Sequence, residues 1–466
     1  MARRARSVQP PSSQEIPTSS PPEASTDTTA LLGLDVSQAE VVACLLLTDG
    51  REIVPRFAVP NNQPGALALA ERVESLARLH RFGRLRVGLE ATSLYWWHLA
   101  SFLKGTALLA HLSPEVYLFN PKLVHGLKKA YSDHGKTDRL DAWFIAERLR
   151  IGRLPAPFEL DLVYAPLQRL TRFRSHLAQT LAREKNYFLT FLFLKFSAFS
   201  QLESFSDPFG VTSSALLEEY TTEQIVEMSL EELVGFLSAK GRGGFDAPDE
   251  LARTLKRAAT DSYELEHALK EPIAIVLATT MATIRTLKRQ LQEVDKTIAR
   301  ELEALPLERR TIDSIPGLGP VLTAGLIAEI GSIHRFDNEA ALAKFAGLVW
   351  NPYQSGEFTA EDTSLAKTGN AYLRYYLVEA ANSVRLHCPE YKAYYQAKFA
   401  QSPKHAHKRA LVLTARKLVR LIDALLRAGL AYRPPELRRD REEDPTPPHS
   451  ARPGVPKRVR LPSATR

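Results

Sequence analysis

Four acidic residues in the first third of the chain stand where their carboxylates could share a metal ion. They are Asp35 in the apolar run LLGLDV, Glu90 after the apolar run VGL, and Asp138 and Asp141 at the start of a predicted helix. The spacing of three places Asp138 and Asp141 on one face of that helix. Mg²⁺ prefers hard oxygen ligands, and two such ions about 4 Å apart can assist phosphoryl transfer. The pattern predicts a Mg²⁺ or Mn²⁺ site if these elements converge.

Each carboxylate taken alone has a simpler interpretation. Asp138 could be a helix N-cap, and Asp141 a favourable charge in the first helical turn. Glu90 could cap the helix that follows it. Asp35 is harder to explain in this way, because a buried strand rarely tolerates an acid without a partner. The occurrence of all four together favours the metal site.

A serine in the last third of the chain is a second chemical candidate. Ser355 precedes Gly356 in the polar turn WNPYQSG, and Lys367, Asn370 and Arg374 follow in LAKTGNAYLR. A serine that attacks a phosphodiester needs an activating base or metal, and cations that stabilise the developing charge. Lys367 and Arg374 are candidates for those cations. Spacing alone makes Ser355 an ordinary turn serine, since Ser-Gly is common in loops.

Two glycines upstream of this serine could contact a phosphate. Gly317 and Gly319 lie in PGLG, between two apolar helical runs. This is the pattern of a helix–hairpin–helix, in which glycines let backbone N–H groups approach a phosphate next to a helix N-terminus. A tight turn between two packed helices is the alternative.

The elements that must position these residues fall into distinct regions. Three short β-type runs, 31–36, 41–47 and 53–59, are separated by turn residues and predict an antiparallel meander. Helices and strands then alternate as far as residue 150, which indicates a mixed α/β domain. Residues 264–305 have apolar positions spaced alternately by three and four, typical of a coiled coil or a packed helix pair.

These regions predict the following domains. A disordered tail covers 1–30, and an α/β domain with the acidic residues covers 31–153. A helical or coiled-coil linker and oligomerisation region follows at 165–310, with an insertion at about 204–260. An all-α C-terminal domain covers 311–430, and a disordered basic, proline-rich tail ends the chain at 431–466.

Composition narrows the class of protein. The chain has 466 residues, a formal charge of +8 and two cysteines, so we expect two or three domains and a polyanionic partner. The two cysteines are far apart, which argues against a disulfide framework or a cysteine-built zinc site. Neither a membrane span nor a secretory signal is apparent. We expect a cytoplasmic, nucleoid-associated protein of a bacterium or archaeon.

Three N-terminal segments resemble a known family. GLDVSQAEVVACLL, VGLEATSLYW and GKTDRLDAWFIAERL are similar to segments of the DEDD insertion-sequence transposases, the family numbered one hundred and ten. The N-terminal domain of that family is RuvC-like, with an RNase H fold. The resemblance implies that Asp35, Glu90, Asp138 and Asp141 form its metal-binding tetrad. Two neighbours of the tetrad, Lys136 and Arg139, are expected to contact nucleic acid.

Three C-terminal segments resemble the second domain of the same transposases. They are IPGLGPVLTAGLIAEIG, FAGLVWNPYQSG and KTGNAYLRYYLVEAA. The resemblance implies that Ser355 is the nucleophile, that it forms a covalent 5′-phosphoserine intermediate, and that it acts with the metal site in a composite centre assembled between subunits. It also implies a structured guide RNA and a dimer or tetramer. The remaining residues expected to contact nucleic acid are Gly317, Gly319, Lys367, Asn370 and Arg374.

One departure from the family concerns the residues beside the serine. Relatives often have an arginine before the serine segment, whereas this chain has Asn351 and Tyr353 in that neighbourhood. The residues that clamp the phosphate are therefore left open.

We therefore expect a DNA transposase, or site-specific recombinase, that cleaves and rejoins the ends of an insertion element. One alternative is a metal-dependent RuvC-like junction nuclease in which Ser355 is structural. A second is an actin-like ATPase or sugar kinase, because GLDVSQAEVVACLL also resembles the opening of that fold. Such folds need a glycine-rich hairpin that binds phosphate, and none is found in residues 84–149. The third is a helix–hairpin–helix DNA binder without catalytic activity, which would leave the four acids unexplained.

Overall fold

The computed structural model describes residues 28–131, 138–201, 205, 207–350, 354–355, 358–359, 365–366 and 368–434. The chain divides into two compact units, Met1–Leu160 and Asp161–Arg466. Most of the two tails predicted at 1–30 and 431–466 lies outside the described residues. Residues 29 and 30 do not belong to a tail, because the first strand begins at Thr29.

A five-stranded mixed sheet forms the centre of the first unit. Its strands are β1 (Thr29–Val36), β2 (Glu40–Leu47), β3 (Glu52–Pro60), β4 (Arg84–Glu90) and β5 (Glu115–Phe119). The strand order is β3-β2-β1-β4-β5. The first three strands are antiparallel, and β4 and β5 continue the sheet in parallel with β1. The predicted meander is therefore confirmed.

Helices cover both faces of this sheet. They are α1 (Gln63–His80), α2 (Trp97–Gly105), α3 (Pro121–Ala130) and α4 (Asp138–Ile151). One apolar cluster joins Leu32 and Leu34 of β1 to α1 and α2. A second joins Leu31 of β1 to α4 on the opposite face. Because β1 is buried on both faces, its sequence is a continuous apolar run instead of an alternating one.

The second unit is almost entirely helical. Its helices are α5 (Ala165–Lys195), α6 (Val211–Glu219), α7 (Thr222–Glu227), α8 (Leu230–Gly241), α9 (Pro248–Thr260), α10 (His267–Glu303), α11 (Pro306–Asp313), α12 (Pro320–Ile330), α13 (Glu339–Ala346), α14 (Ala371–His387), α15 (Pro389–Ala400) and α16 (Ala406–Ala428). Two very short strands, β6 (Gln354–Ser355) and β7 (Phe358–Thr359), complete it.

The long helices α5 and α10 pack antiparallel to each other. Arg174, early in α5, is bonded to Asp295, late in α10, with Nε to Oδ1 at 2.5 Å. Leu192, late in α5, shares an apolar cluster with Ile273 of the first turns of α10. The spacing of residues 264–305 thus reflects a helix pair formed within one chain, the second of its two predicted interpretations.

Two apolar cores lie at opposite ends of this helix pair. One contains α6 to α9, so residues 211–260 of the predicted insertion form a small helical subdomain. The other gathers the first turns of α5, the last turns of α10, and helices α11 to α16. No helix in the described part of the chain has the length and apolarity that crossing a membrane requires.

Candidate active site

Asp35 and Glu90 lie at the same edge of the sheet. The register of the parallel strands β1 and β4 pairs Leu34 with Leu89, and each acid follows its leucine by one residue. Both side chains are half-buried. In-register residues of neighbouring parallel strands point to the same face of a sheet. The two carboxylates therefore share both an edge and a face.

Two glycines show which face this is. A Cβ atom on Gly33 would lie 2.1 Å from the carbonyl oxygen of Ala142, and one on Gly88 would lie 2.9 Å from Cγ2 of Ile145. Helix α4 can cross β1 and β4 this closely only because both positions lack a side chain. Side chains alternate along a strand, so the residues two positions after these glycines, Asp35 and Glu90, point to the face that α4 covers.

The direction of α4 places its first turn at the acidic edge. A Cβ atom on Gly50 would lie 3.8 Å from Cδ of Arg150. Gly50 follows the end of β2, where Leu47 pairs with Ala30 at the start of β1. Helix α4 therefore ends near the start of β1 and begins near its carboxyl end, which brings Asp141 to the edge of Asp35. Asp138 is the first residue of α4, but its side chain lies outside the described residues.

Asp141 has a basic partner that sequence reasoning missed. The Nζ atom of Lys128 lies 2.8 Å from Oδ1 of Asp141, and each side chain is 27% exposed. Lys128 belongs to α3, which directly follows the carboxyl end of β5. The chain has no acidic residue between Glu115 and Asp133. That acid-free, lysine-containing run was a signal in the sequence for a cationic element beside the carboxylates.

The donor atoms at this edge suit a hard divalent cation. Carboxylate oxygens are the ligands that Mg²⁺ or Mn²⁺ requires, and α4 begins toward the edge that Asp35 and Glu90 share, but Asp35, Glu90 and Asp141 do not by themselves form a group that could hold a metal. Among the residues described with side chains, no group of three or more acidic, histidine or cysteine residues is close enough to hold a metal. Lys136 and Asp138 lie outside that set, as does the side chain of Arg139.

Ser355 lies at the end of a short β-hairpin in the second unit. Ser355 of β6 pairs with Phe358 of β7, and only Gly356 and Glu357 separate them in the chain. Ser355 is thus the last paired residue before the turn. Its side chain, like Lys367, lies outside the described residues.

The base of this hairpin is closed by several backbone contacts. Trp350 forms a β-bridge with Leu365. The backbone N–H of Asn370 donates to the carbonyl of Phe345 at 2.7 Å. Gly369 has a φ of +153°, and a Cβ atom there would lie 2.4 Å from the same carbonyl oxygen. The chain therefore leaves α13, forms the hairpin, and returns to the end of α13 before α14 begins.

Asn370 and Arg374 both contact the protein itself. The Oδ1 atom of Asn370 caps α14 by accepting from the backbone N–H groups of Tyr372 and Leu373 at 3.0 Å. Arg374 donates from Nη1 to the carbonyl of Ala346 at 3.1 Å. Burial lowers the pKa of the Arg374 guanidinium. The structure thus brings these two expected DNA-contacting residues to the base of the serine hairpin.

The two glycines between α11 and α12 have different surroundings. Gly317 has a φ of +92°, and a Cβ atom there would lie 2.9 Å from the carbonyl oxygen of Ser383 in α14. Its own carbonyl accepts from the hydroxyl of Ser383 at 2.5 Å. Gly319 is exposed, precedes α12, and has open space where a Cβ atom would lie. Gly317 therefore packs against α14, and Gly319 is exposed at a helix N-terminus.

Sequence reasoning also missed a charged residue inside the second unit. Glu329 of α12 is fully buried, and Arg172 of α5 holds its carboxylate with two hydrogen bonds of 2.7 and 2.8 Å. The signal was available as a single acid in the otherwise apolar run LTAGLIAEI.

Comparison with known proteins identifies both halves of the chain. Residues 32–196 match a family model described as a transposase and named for the DEDD enzymes of IS110, and residues 309–396 match the model of the transposase IS116/IS110/IS902 family. A 44.8 kDa protein of insertion element IS116 from Streptomyces clavuligerus is 28% identical over 72% of this chain and 82% of its own length.

Two further relatives extend this comparison. A 42 kDa protein of insertion element IS900 from Mycobacterium paratuberculosis is 25% identical over 86% of this chain and 96% of its own length. The transposase for insertion sequence element IS1111A from Coxiella burnetii is 27% identical over 40% of this chain and 52% of its own length.

These matches define the class of protein as a transposase, an enzyme that acts on DNA. The chain belongs to the IS110/IS116/IS902 family of insertion-sequence transposases.

Proposed function

We propose that this transposase cleaves and rejoins DNA strands by serine chemistry, assisted by a divalent metal at the acidic edge of the first unit. The observation that carries the proposal is the shared edge and face of Asp35 and Glu90, with the first turn of α4 beside them. Four carboxylates, those of Asp35, Glu90, Asp138 and Asp141, would hold the metal. When bound, Mg²⁺ or Mn²⁺ would stabilise negative charge on phosphate oxygens.

Ser355 is the proposed nucleophile. Its hydroxyl oxygen attacks a phosphodiester phosphorus, the bond from phosphorus to the 3′ oxygen breaks, and that oxygen leaves as a 3′ hydroxyl after receiving a proton. The product is a 5′-phosphoserine, and attack on it by another 3′ hydroxyl rejoins the strand. The resemblance of WNPYQSG to the family's serine segment supports this role.

The resemblance to the family supports three finer parts of this proposal. The antiparallel meander followed by two parallel strands, with α4 across β1 and β4, is compatible with an RNase H-like, RuvC-like fold. A structured guide RNA would select the DNA by base pairing. The protein would then recognise mainly the nucleic-acid backbone and the shape of the duplex. A homodimer or homotetramer would carry out the reaction. Lys136, Arg139, Gly319 and Lys367 are further proposed nucleic-acid contacts.

Trapping the intermediate tests this function. Protein incubated with element-end DNA and Mg²⁺, then denatured, is expected to retain covalently bound DNA. Ser355→Ala should abolish the adduct, whereas the nearby Ser364→Ala should not. If Ser364→Ala loses the adduct and Ser355→Ala keeps it, Ser355 is not the nucleophile.

The acidic edge also supports a second candidate, a RuvC-like junction nuclease that cleaves by water. The same experiment separates the two functions. If Ser355→Ala cleaves DNA at the unaltered rate, hydrolysis at the acidic edge is the activity, and the serine mechanism is wrong.

A further inference from the structure

The carboxylate of Glu329 is the most deeply buried charge of the second unit that the proposed chemistry does not use. Glu329 lies in α12 with 0% exposure, between the buried residues Leu326 and Ile330. A buried carboxylate is costly unless it is paired and hydrogen-bonded. Its partners therefore indicate what it contributes.

Arg172 supplies the compensating charge. Its Nε and Nη2 atoms donate to the two carboxylate oxygens of Glu329 at 2.7 and 2.8 Å, which is the two-pronged geometry of strong Arg–carboxylate pairs. Burial acts to lower the pKa of Arg172, but the hydrogen bonds and charge of Glu329 outweigh it, and the pKa is raised. The guanidinium also lies 4.8 Å from the ring centre of Tyr372. The ion pair is thus fixed between α5 and α12.

The same carboxylate accepts a third hydrogen bond, from the start of α14. The Nδ2 atom of Asn370 donates to Oε2 of Glu329 at 2.6 Å. The other side-chain atom of Asn370, Oδ1, caps α14, and its backbone N–H donates to Phe345. Three polar groups of Asn370, namely Nδ2, Oδ1 and the backbone N–H, therefore fix the point where the serine hairpin rejoins the helical core.

This arrangement gives Glu329 a structural link to Ser355. The chain between Phe345 and Asn370 contains the hairpin, and the two ends of that segment meet at the hydrogen bond from Asn370 to Phe345. A shift of Asn370 would therefore move one end of the segment that carries Ser355 relative to its other end. A displacement of about 1 Å at a reacting group can reduce a rate about a hundredfold.

We propose that Glu329 is a positioning residue for the nucleophilic serine, acting through Asn370. The proposal rests on the proposed role of Ser355. Glu329 does not contact DNA. Its buried carboxylate, held by Arg172, sets the position of Asn370 and so the geometry of the hairpin that ends in Ser355.

A swap of the hydrogen-bonding groups tests this proposal in the full chain. Glu329→Gln weakens the anchor of Asn370, because every group that the carboxylate accepts from is a donor, and the amide N–H group must face either Asn370 together with Nη2 of Arg172 or Nε of Arg172. Asn370→Asp keeps the cap of α14, since aspartate caps helices well, but places an acceptor against an acceptor. The double variant Glu329→Gln/Asn370→Asp restores a donor–acceptor pair with reversed polarity.

The measurements are the single-turnover rate of adduct formation, the Kd for element-end DNA, and the melting temperature. Each single variant is expected to lower the adduct rate at least thirtyfold, Glu329→Gln should change Kd less than threefold, and the swap should recover at least tenfold of the rate. Asp295→Asn is the matched control, because Asp295 also pairs with an arginine of α5 but does not contact the hairpin segment. It should leave the adduct rate within threefold.

Three results would overturn the proposal. They are folded single variants that react within threefold of the unaltered chain, a swap that recovers nothing, and loss of folding in both single variants, which would make Glu329 a purely structural residue. Failure of the proposed function is seen separately. If Ser355→Ala still forms the adduct, the nucleophile is wrong. If that variant is inactive and the swap recovers nothing, only the role of Glu329 is wrong.

Discussion

Asp35 is the residue from which the sequence predicts a metal site shared with other carboxylates. Its strand was recognised from LLGLDV, and an acid at the end of such a strand needs a partner. The structure adds that Glu90, already a candidate from the sequence, lies beside Asp35, one step beyond the last registered pair of β1 and β4. That pairing could not be predicted from the alternation of apolar residues, because alternation does not specify which strands are neighbours.

The first residue-scale prediction concerns this acid. Asp35→Asn keeps the size of the side chain and removes its charge, so Mn²⁺ should bind at least tenfold more weakly in calorimetric titrations, and strand cleavage should fall at least a hundredfold. Asp49→Asn is the control, because Asp49 lies in an exposed turn and accepts from the backbone N–H of Arg51 at 2.9 Å. An Asp35 variant with unaltered metal affinity would contradict the proposed role.

The second residue-scale prediction concerns Lys128. Its ammonium competes with a metal ion for Asp141. Exposed or partly exposed ion pairs are worth up to about 1 kcal/mol, so Lys128→Met should tighten Mn²⁺ binding by about threefold to fivefold. Lys129→Met, an exposed lysine of the same helix, should not change it. Weaker binding by the Lys128 variant would mean that the lysine orients Asp141 for the metal.

At the scale of elements, the contact of α4 with the sheet depends on two missing side chains. Gly33 and Gly88 lie in register on β1 and β4, and α4 lies directly on both. The sequence predicted the strands and the helix from their apolar spacing. It did not predict their contact, because a glycine in a strand has several possible causes.

Gly33→Ala tests this contact. The added Cβ would lie 2.1 Å from the carbonyl of Ala142, so α4 must shift away from β1, at a cost of about 1–3 kcal/mol in the free energy of unfolding. Metal affinity should fall with it, because Asp141 moves away from Asp35. Gly126→Ala is the control, since nothing lies within 4 Å of a Cβ there and alanine favours a helix. Equal stability of the two variants would contradict the close packing of α4.

The serine hairpin is the element that sequence patterns predicted least well. Each of its strands, β6 and β7, has two residues, too few to show a period. The contacts that hold the base of the hairpin could not be predicted from sequence patterns either, because Glu329 is 41 residues before Asn370 and 157 residues after Arg172. Ser355 was identified by resemblance, whereas the residues that fix its hairpin required the structure.

At the scale of the whole molecule, each compact unit has its own apolar cores. Two lie on the faces of the sheet in the first unit, and two lie at the ends of the α5–α10 pair in the second. The change from a mixed α/β domain to a helical region was predicted from the sequence. The four-helix subdomain at 211–260 could not, because none of its helices is longer than 13 residues.

Separate cores predict that damage to one unit stays local. Gly33→Ala should increase amide hydrogen exchange in peptides of residues 28–160, through more frequent local opening. Exchange of peptides from residues 161–434 should change little. Equal loss of protection in both ranges would show that the chain unfolds as one cooperative unit.

The most direct test of the central claim is the identity of the bond between protein and DNA. Adduct formed with element-end DNA is digested with nuclease and protease, and the modified peptide is sequenced by mass spectrometry. The account predicts a nucleotide joined through its 5′ phosphate to Ser355, and a free 3′ hydroxyl on the other DNA end. Attachment to any other residue, attachment through a 3′ phosphate, or strand joining with no covalent intermediate would contradict it.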